Sequence, residues 1–156
     1  MKNRMFIFMF SALMSFCVSN EINAQKEKSF GVSAGIGFSD EIDFAKVGVE
    51  FNMDINEHFR FSPSADFYLS SSSCVSLNGD FSYLIKSSEK FEIFPIVGVA
   101  YITDEFDLSF DRVGLNVGAG VQYDLSNNFA LNAKAKYQVV KSQDNVVIGV
   151  GVVKKF

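Results

Sequence analysis

Tryptophan is absent from the 156 residues, and the sequence has only one histidine, two prolines and two cysteines. The low cysteine count excludes a small secreted domain held together by several disulfides. Fourteen basic and eighteen acidic residues give a formal net charge of -4, which argues against a nucleic-acid-binding protein. The chain is instead rich in apolar residues, at 48%, with 18 Phe and 11 Gly. This composition and length suit one folded domain rather than a disordered chain.

The amino-terminal segment has the order of a cleavable export signal. Two basic residues precede an uncharged apolar run over 5–18, and small-residue positions ending at Ala24 follow it. The run is shorter than the roughly 20 residues that a membrane-spanning helix needs, which disfavours an uncleaved anchor. We therefore predict that 1–24 is a signal peptide and that 25–156 is the mature domain. Lipidation at Cys17, inside the apolar run, is the alternative.

From Ser29 to the last residue, apolar and polar side chains alternate with a period of two, and no helical period of useful length appears. Short segments rich in Asn and Ser separate the alternating stretches, as turns between antiparallel strands do. The pattern predicts eight strands, at about 29–38, 44–55, 59–70, 73–85, 91–102, 112–125, 129–140 and 145–156.

The two faces of these strands differ in residue size as well as in polarity. In the sixth strand Val113, Leu115 and Val117 alternate with Gly114 and Asn116, and ten of the 11 glycines fall on the polar face. An eight-stranded barrel has an interior just wide enough for its side chains, so the glycine-rich face fits the inside. The aromatic face then points outward and needs lipid to cover it. We predict an all-β, eight-stranded antiparallel transmembrane up-and-down barrel; a soluble, lipocalin-like barrel with reversed faces is the alternative.

Aromatic residues of the apolar face gather at two levels of the predicted barrel, as the interfacial girdles of membrane barrels do. The level of the chain termini has Phe30, Phe59, Tyr83, Phe91, Tyr123, Phe129 and Phe156, and the opposite level has Phe38, Phe67, Tyr101 and Tyr137. Lys154 is the single charge predicted on the outer face. It falls in the girdle at the termini, where its ammonium group can reach the interface.

Residues 118–131, GAGVQYDLSNNFAL, resemble the sixth strand, turn and start of the seventh strand in the small eight-stranded outer-membrane barrels of the OmpA and OmpX type from Gram-negative bacteria. The terminal Phe156 is similar to the carboxy-terminal aromatic that this family's assembly machinery recognises. The resemblance spans the mature chain and implies an outer-membrane location. It also implies contact with lipid, lipopolysaccharide and the barrel assembly machinery. The predicted loops are short and no periplasmic peptidoglycan-binding domain follows, so cell-wall attachment is not expected.

The sequence offers little catalytic chemistry. It has no Cys/His metal spacing and no phosphate-binding glycine loop, so we predict no cofactor. Enzymes on similar barrels, such as lipid A deacylases and omptin proteases, resemble one another in using a histidine near the outer rim. The sole histidine, His58, falls in a predicted periplasmic turn, so we predict that the protein is not an enzyme. Cys74 is interpreted as a small, unreactive wall residue.

Charged residues predicted inside the barrel balance one another in number. Opposite charges in a narrow space are expected to pair, since an unpaired buried charge is costly. The basic residues are Lys46, Arg60, Arg112, Lys134, Lys136 and Lys155, and the acidic residues are Glu50, Asp54, Asp66, Asp80, Glu92 and Asp124. An ion-selective pore is expected to carry rings of one sign, so the balance favours a filled lumen and a structural or surface-interaction role. A narrow channel for small solutes and a soluble periplasmic lipid-binding barrel remain the alternatives.

The loops predicted at the outer end are acidic. They hold Asp40, Glu41, Asp43, Asp104, Glu105, Asp107, Asp111 and Asp144, against Lys141 alone. Carboxylates are hard oxygen ligands for calcium and magnesium. One hypothesis is that Asp104, Glu105, Asp107 and Asp111 contact divalent cations that bridge to lipopolysaccharide phosphates. The alternative is a solvated loop without a ligand, and the sequence does not identify an external partner.

Overall fold

A computed structural model describes residues 27–39, 43–69, 74–103, 113–140 and 143–156. These residues form antiparallel strands, with bends described at 55–58, 87–90 and 125–128. The strands are β1 (Lys28–Ser39), β2 (Phe44–Asp54), β3 (Phe59–Leu69), β4 (Cys74–Tyr83), β5 (Ile85–Lys86), β6 (Phe91–Thr103), β7 (Val113–Asp124), β8 (Phe129–Val140) and β9 (Gln143–Lys155). Within these ranges, no helix is long and apolar enough to cross a bilayer.

The sheet closes on itself because β9 pairs with β1, from Ser29 opposite Lys155 to Ser39 opposite Asn145. The short β5 continues β4, since both pair with β6 in one register. The interruption at Leu84 faces a stretch of β6 that contains Pro95, which has no N–H to donate to the ladder. Counting β4 and β5 as one strand, the predicted eight-stranded up-and-down barrel is confirmed. Closure leaves no open edge strand in the described sheet.

The burial pattern agrees with the predicted faces. In β7 the side chains of Leu115 and Val117 are 58% and 56% exposed, whereas Asn116 between them is 0% exposed. Polar residues therefore fill the lumen and apolar residues cover the outside, the arrangement that lipid rather than water requires. A soluble barrel with its apolar face turned inward is inconsistent with this pattern.

Strand ends differ from the prediction by a few residues, and one of these differences changes which charged residues lie on the outer face. The strand β9 begins at Gln143 rather than 145, so Asp144 lies in a strand and not in a loop. Asp144 is exposed, and its carboxylate accepts a hydrogen bond of 2.8 Å from the Tyr137 hydroxyl. The sequence predicted Lys154 as the only charged residue on the outer face. That prediction is wrong, because Asp144 also lies there.

Two apolar clusters lie inside the barrel. We call the end that holds Lys28 and Phe156 the terminal end, and the opposite one the loop end. The loop-end cluster consists of Tyr68, Ile102 and Val140, with Phe44 and Cys74 packed against it. The terminal-end cluster consists of Leu84, Phe94 and Ile96. The lumen is thus polar along most of its length but apolar at two levels.

Candidate functional site

Three ion pairs occupy the middle of the lumen. Lys46 Nζ lies 3.0 Å from Asp66 Oδ2, and Lys136 Nζ lies 2.9 Å from Asp80 Oδ2. Lys134 Nζ donates a hydrogen bond to Glu50 Oε2 and lies 5.9 Å from the centre of the Phe94 ring. The inward alternation of β2, β3, β4 and β8 places all of these groups in one narrow compartment. Each carboxylate there has an ammonium partner.

Arg60 forms the centre of the charge network near the terminal end. Its Nε atom lies 2.5 Å from Asp54 Oδ1, and its Nη2 atom lies 3.2 Å from Asp54 Oδ2. Nη1 donates to Gln122 Oε1 at 3.2 Å. Glu92 Oε2 is buried without a hydrogen-bond partner among the described residues, but it lies 3.6 Å from Arg60 Nη2. Arg60 thus compensates two carboxylates, one by a bidentate contact and one by longer-range attraction.

Lys155 closes the network at the terminal end. Its Nζ atom lies 2.7 Å from Asp124 Oδ2 and 3.7 Å from Glu27 Oε2. The pattern gave no sign of Glu27, because this residue precedes the first predicted strand. Its side chain is 61% exposed, so this contact is the weakest of the set.

Neutral amides connect the ion pairs to the loop-end cluster. The Tyr68 hydroxyl donates to Gln138 Oε1 at 3.2 Å, and Gln138 Nε2 donates to Asn116 Oδ1 at 3.0 Å. Asn116 Nδ2 in turn donates to Asp80 Oδ1 at 2.8 Å and to Asn78 Oδ1 at 3.1 Å. Selecting only charged residues from the sequence missed these groups. Their inward position in the alternation was the signal that could have found them.

The free space within this network is small. A cavity of about 20 Å³ is lined by the three mid-lumen ion pairs together with Gly149 and neighbouring residues. A site of this size and polarity accommodates about one water molecule. This cavity is therefore too small for a solute larger than water.

Several predicted site residues fall outside the described ranges. Arg112, expected in the lumen, is one of them, and the proposed cation contacts Asp104, Glu105, Asp107 and Asp111 are the others. Within the described ranges, no group of three or more His, Cys, Asp or Glu side chains is arranged to hold a metal ion.

His58 and Phe156 both lie at the terminal end. The His58 ring stacks on Tyr83 with a centroid distance of 5.7 Å. The Phe156 N–H donates to the Lys28 carbonyl oxygen at 2.9 Å, and its side chain is 69% exposed. Phe156 thus extends the seam between the first and last strands and presents its ring outward.

Residues 8–156 match the model of a family described as outer membrane protein beta-barrel domain. The chain belongs to this family. The match confirms the predicted resemblance and agrees with the closed barrel and its apolar exterior. No curated protein sequence matches the chain significantly.

Solved structures of outer-membrane proteins share the fold. The amino-terminal barrel of Pseudomonas aeruginosa OprF is 17% identical, with a TM-score of 0.67, covering 85% of this chain and 100% of that one. Neisserial surface protein A is 16% identical, with a TM-score of 0.69, covering 84% and 97%. The outer membrane enzyme PagL is 12% identical, with a TM-score of 0.57, covering 79% and 97%. At these identities the likeness extends to the fold only, and the fold supports both enzymes and non-enzymes.

Proposed function

We propose that this protein is a non-conducting barrel of the outer membrane of a Gram-negative bacterium, with a structural or surface-interaction role. The observation that carries the proposal is the occupied lumen. Every inward carboxylate of the predicted network has a basic partner, and apolar clusters lie at two levels of the interior. Apolar constrictions oppose the passage of hydrated ions, and paired charges do not provide the single-sign ring of a selective pore.

We expect the purified protein to show no regular single-channel steps in planar lipid bilayers at neutral pH. Ion passage would require breaking several buried pairs in the lumen, such as Lys46–Asp66 and Lys136–Asp80, at once, which is energetically costly. Heat-modifiability on a gel would first establish that the sample is folded. Reproducible steps of one amplitude from folded protein would contradict the proposal and favour a narrow channel.

A non-enzymatic role is part of the same proposal. The only histidine of the chain, His58, lies at the terminal end beside Glu57, and its ring packs on Tyr83. Its backbone N–H is bonded to Asn56 Oδ1 at 2.9 Å, as in an ordinary polar bend. A histidine-dependent nucleophile at the loop end would have no base there.

The partners proposed at the loop end are lipid and lipopolysaccharide. The acidic residues Asp104, Glu105, Asp107 and Asp111 motivate the hypothesis that divalent cations bridge this end to lipopolysaccharide phosphates. We expect calorimetry of the folded protein to detect calcium binding at millimolar concentration, and a variant with all four residues changed to Asn or Gln to lose it. If the unaltered protein binds no calcium, the solvated-loop alternative is correct.

Deletion of Phe156 is expected to prevent assembly of most of the protein in the outer membrane. The residue follows the strand that must close against β1, and its exposed ring is available to the assembly machinery. Cell fractionation and heat-modifiability should show unfolded periplasmic protein in place of folded barrel. Phe156→Tyr retains an aromatic terminus and should assemble normally. Equal yields of folded barrel from the deletion and the parent would contradict the role.

A further inference from the structure

The outer face carries an open apolar groove that is separate from the packed lumen. It encloses about 960 Å³ and crosses from β7 through β8, β9, β1 and β2 to β3. Its floor extends to inward-facing positions such as Gly48, Gly151 and Ser33. The floor is this deep because the outward side chains over it are mostly valine and alanine.

The strand register shows how the groove runs. One row of facing residues joins Val121, Ala133, Val150, Ala34 and Val47, each opposite the next on the neighbouring strand. A second row lies two residues closer to the terminal end, about 7 Å away along the strands, and follows the same course. It consists of Tyr123, Leu131, Val152, Val32 and Val49.

Over β9 and β1, bulkier side chains border these two rows on both sides, whereas alanines continue the loop-end row on β7, β8 and β2. On the loop-end side the next row contains Ile148 opposite Ile36. On the terminal-end side the next row contains Phe129, Lys154 and Phe30, with the lysine paired to each phenylalanine across the ladder. Over β9 and β1 the groove therefore has a border of large side chains on both sides, and the terminal-end border contains a cation.

Lys154 differs from the lysines of the lumen because it has no acidic partner. It is exposed on the outer face, and it forms no ion pair with any residue in the described ranges. Its neighbour Lys155 points inward and is held by Asp124. An ammonium group beside an apolar groove in the aromatic girdle is complementary to a ligand with an anionic head and a hydrocarbon tail.

We propose that the groove binds one phospholipid of the leaflet at the terminal end. An acyl chain lies along the valines and alanines of the two rows, and the phosphate contacts the Lys154 ammonium between the rings of Phe30 and Phe129. A second copy of the chain is a poorer occupant, because a symmetric dimer about this seam would bring two unpaired lysines together in a region of low dielectric. The proposal requires a membrane barrel but does not depend on whether the lumen conducts.

The absence of tryptophan allows a direct test, since one introduced tryptophan is the only such emitter. Phe30→Trp places the reporter beside Lys154. Phe59→Trp places a matched reporter at the terminal end of β3, whereas the groove reaches that strand at Phe67, near its loop end. Each variant is folded into phosphatidylcholine vesicles containing a minor fraction of phosphatidylglycerol with brominated acyl chains. Bromine quenches tryptophan emission on contact.

We expect brominated phosphatidylglycerol to associate with the Phe30→Trp site about fivefold more strongly than with the Phe59→Trp site, as one lysine near the membrane surface allows. Adding Lys154→Gln should abolish the preference, and Lys154→Arg should keep it. Ala34→Leu, which fills the floor, should reduce quenching at Phe30→Trp with the charge intact. Heat-modifiability restricts each comparison to folded protein.

Two results would overturn the proposal. Equal quenching at both reporters, or a preference that survives Lys154→Gln, would show that only unselective surrounding lipid contacts this face. The second result combines two observations: no brominated lipid quenches the tryptophan of Phe30→Trp, and the protein cross-links as a dimer. Together they would show that a second copy covers the groove.

Discussion

Replacing Arg60 with Met is expected to lower the free energy of unfolding by about 3 to 5 kcal/mol, the usual cost of removing one partner from a buried ion pair. The Arg60 side chain is 5% exposed, and those of Asp54 and Glu92 are 14% and 12% exposed. Without the guanidinium group, two carboxylates would remain in the lumen with no other basic group bonded to them in the described chain. The Gln122 amide would lose its donor as well.

Urea unfolding in lipid vesicles measures the effect as a shift of the transition midpoint at unchanged slope. Lys90→Met removes an exposed charge from a bend at the same end and should leave the midpoint almost unchanged. Lys134→Met should give a smaller loss than Arg60→Met, because the Lys134 side chain is 18% exposed and Asn132 still bonds Glu50 at 2.7 Å. An Arg60→Met midpoint equal to that of the unaltered protein would show that the pairs do not stabilise the barrel.

Part of this network could be predicted from the sequence, because local geometry determines it. Asp54 and Arg60 flank one short bend and lie directly opposite each other on β2 and β3, so a correct hairpin register brings them together. The period of two assigns both to the inner face, since neighbouring strands share the same inside. Inward and outward positions were predictable for the same reason.

The pairs that cross the lumen could not be predicted in the same way. Glu50 lies on β2 and Lys134 on β8, with β1 and β9 between them in the sheet. Which inward groups meet across a barrel depends on the stagger of all its strands, and this shear is a property of the closed sheet. The sequence therefore predicted which charges share the interior but not which partners they choose.

The exact ends of the strands also could not be predicted from the alternation. Alternation weakens where a strand meets a turn, and an error of one residue there moves a side chain between loop and wall. Asp144 was assigned to a loop on this account, although it lies in β9. Ile102 and Val140 are apolar residues at inward positions close to strand ends, where they form the loop-end cluster with Tyr68. The rule that polar residues face inward could not predict this cluster.

Replacing Gly118 with Val is expected to destabilise the barrel by about 3 kcal/mol or more, because the added atoms overpack an interior that cannot expand. A Cβ atom at Gly118 would lie 2.2 Å from the Ala135 carbonyl oxygen and 2.8 Å from the Lys136 Cα atom. Both are backbone atoms of the neighbouring strand, so β8 itself would have to move. The strand also carries Lys136, whose pairing with Asp80 would be disturbed.

Gly79 provides the matched control for this substitution. It is the outward-facing glycine on β4, and a Cβ atom there would meet nothing closer than the Phe61 ring at 3.7 Å. Gly79→Val should be neutral or stabilise the barrel slightly, since a β-branched residue suits a strand surface and restricts the unfolded chain. The check is the urea midpoint and the folded yield of both variants in vesicles. Equal stability of Gly118→Val and Gly79→Val would show that close approach of strands does not account for the glycine-rich inner face.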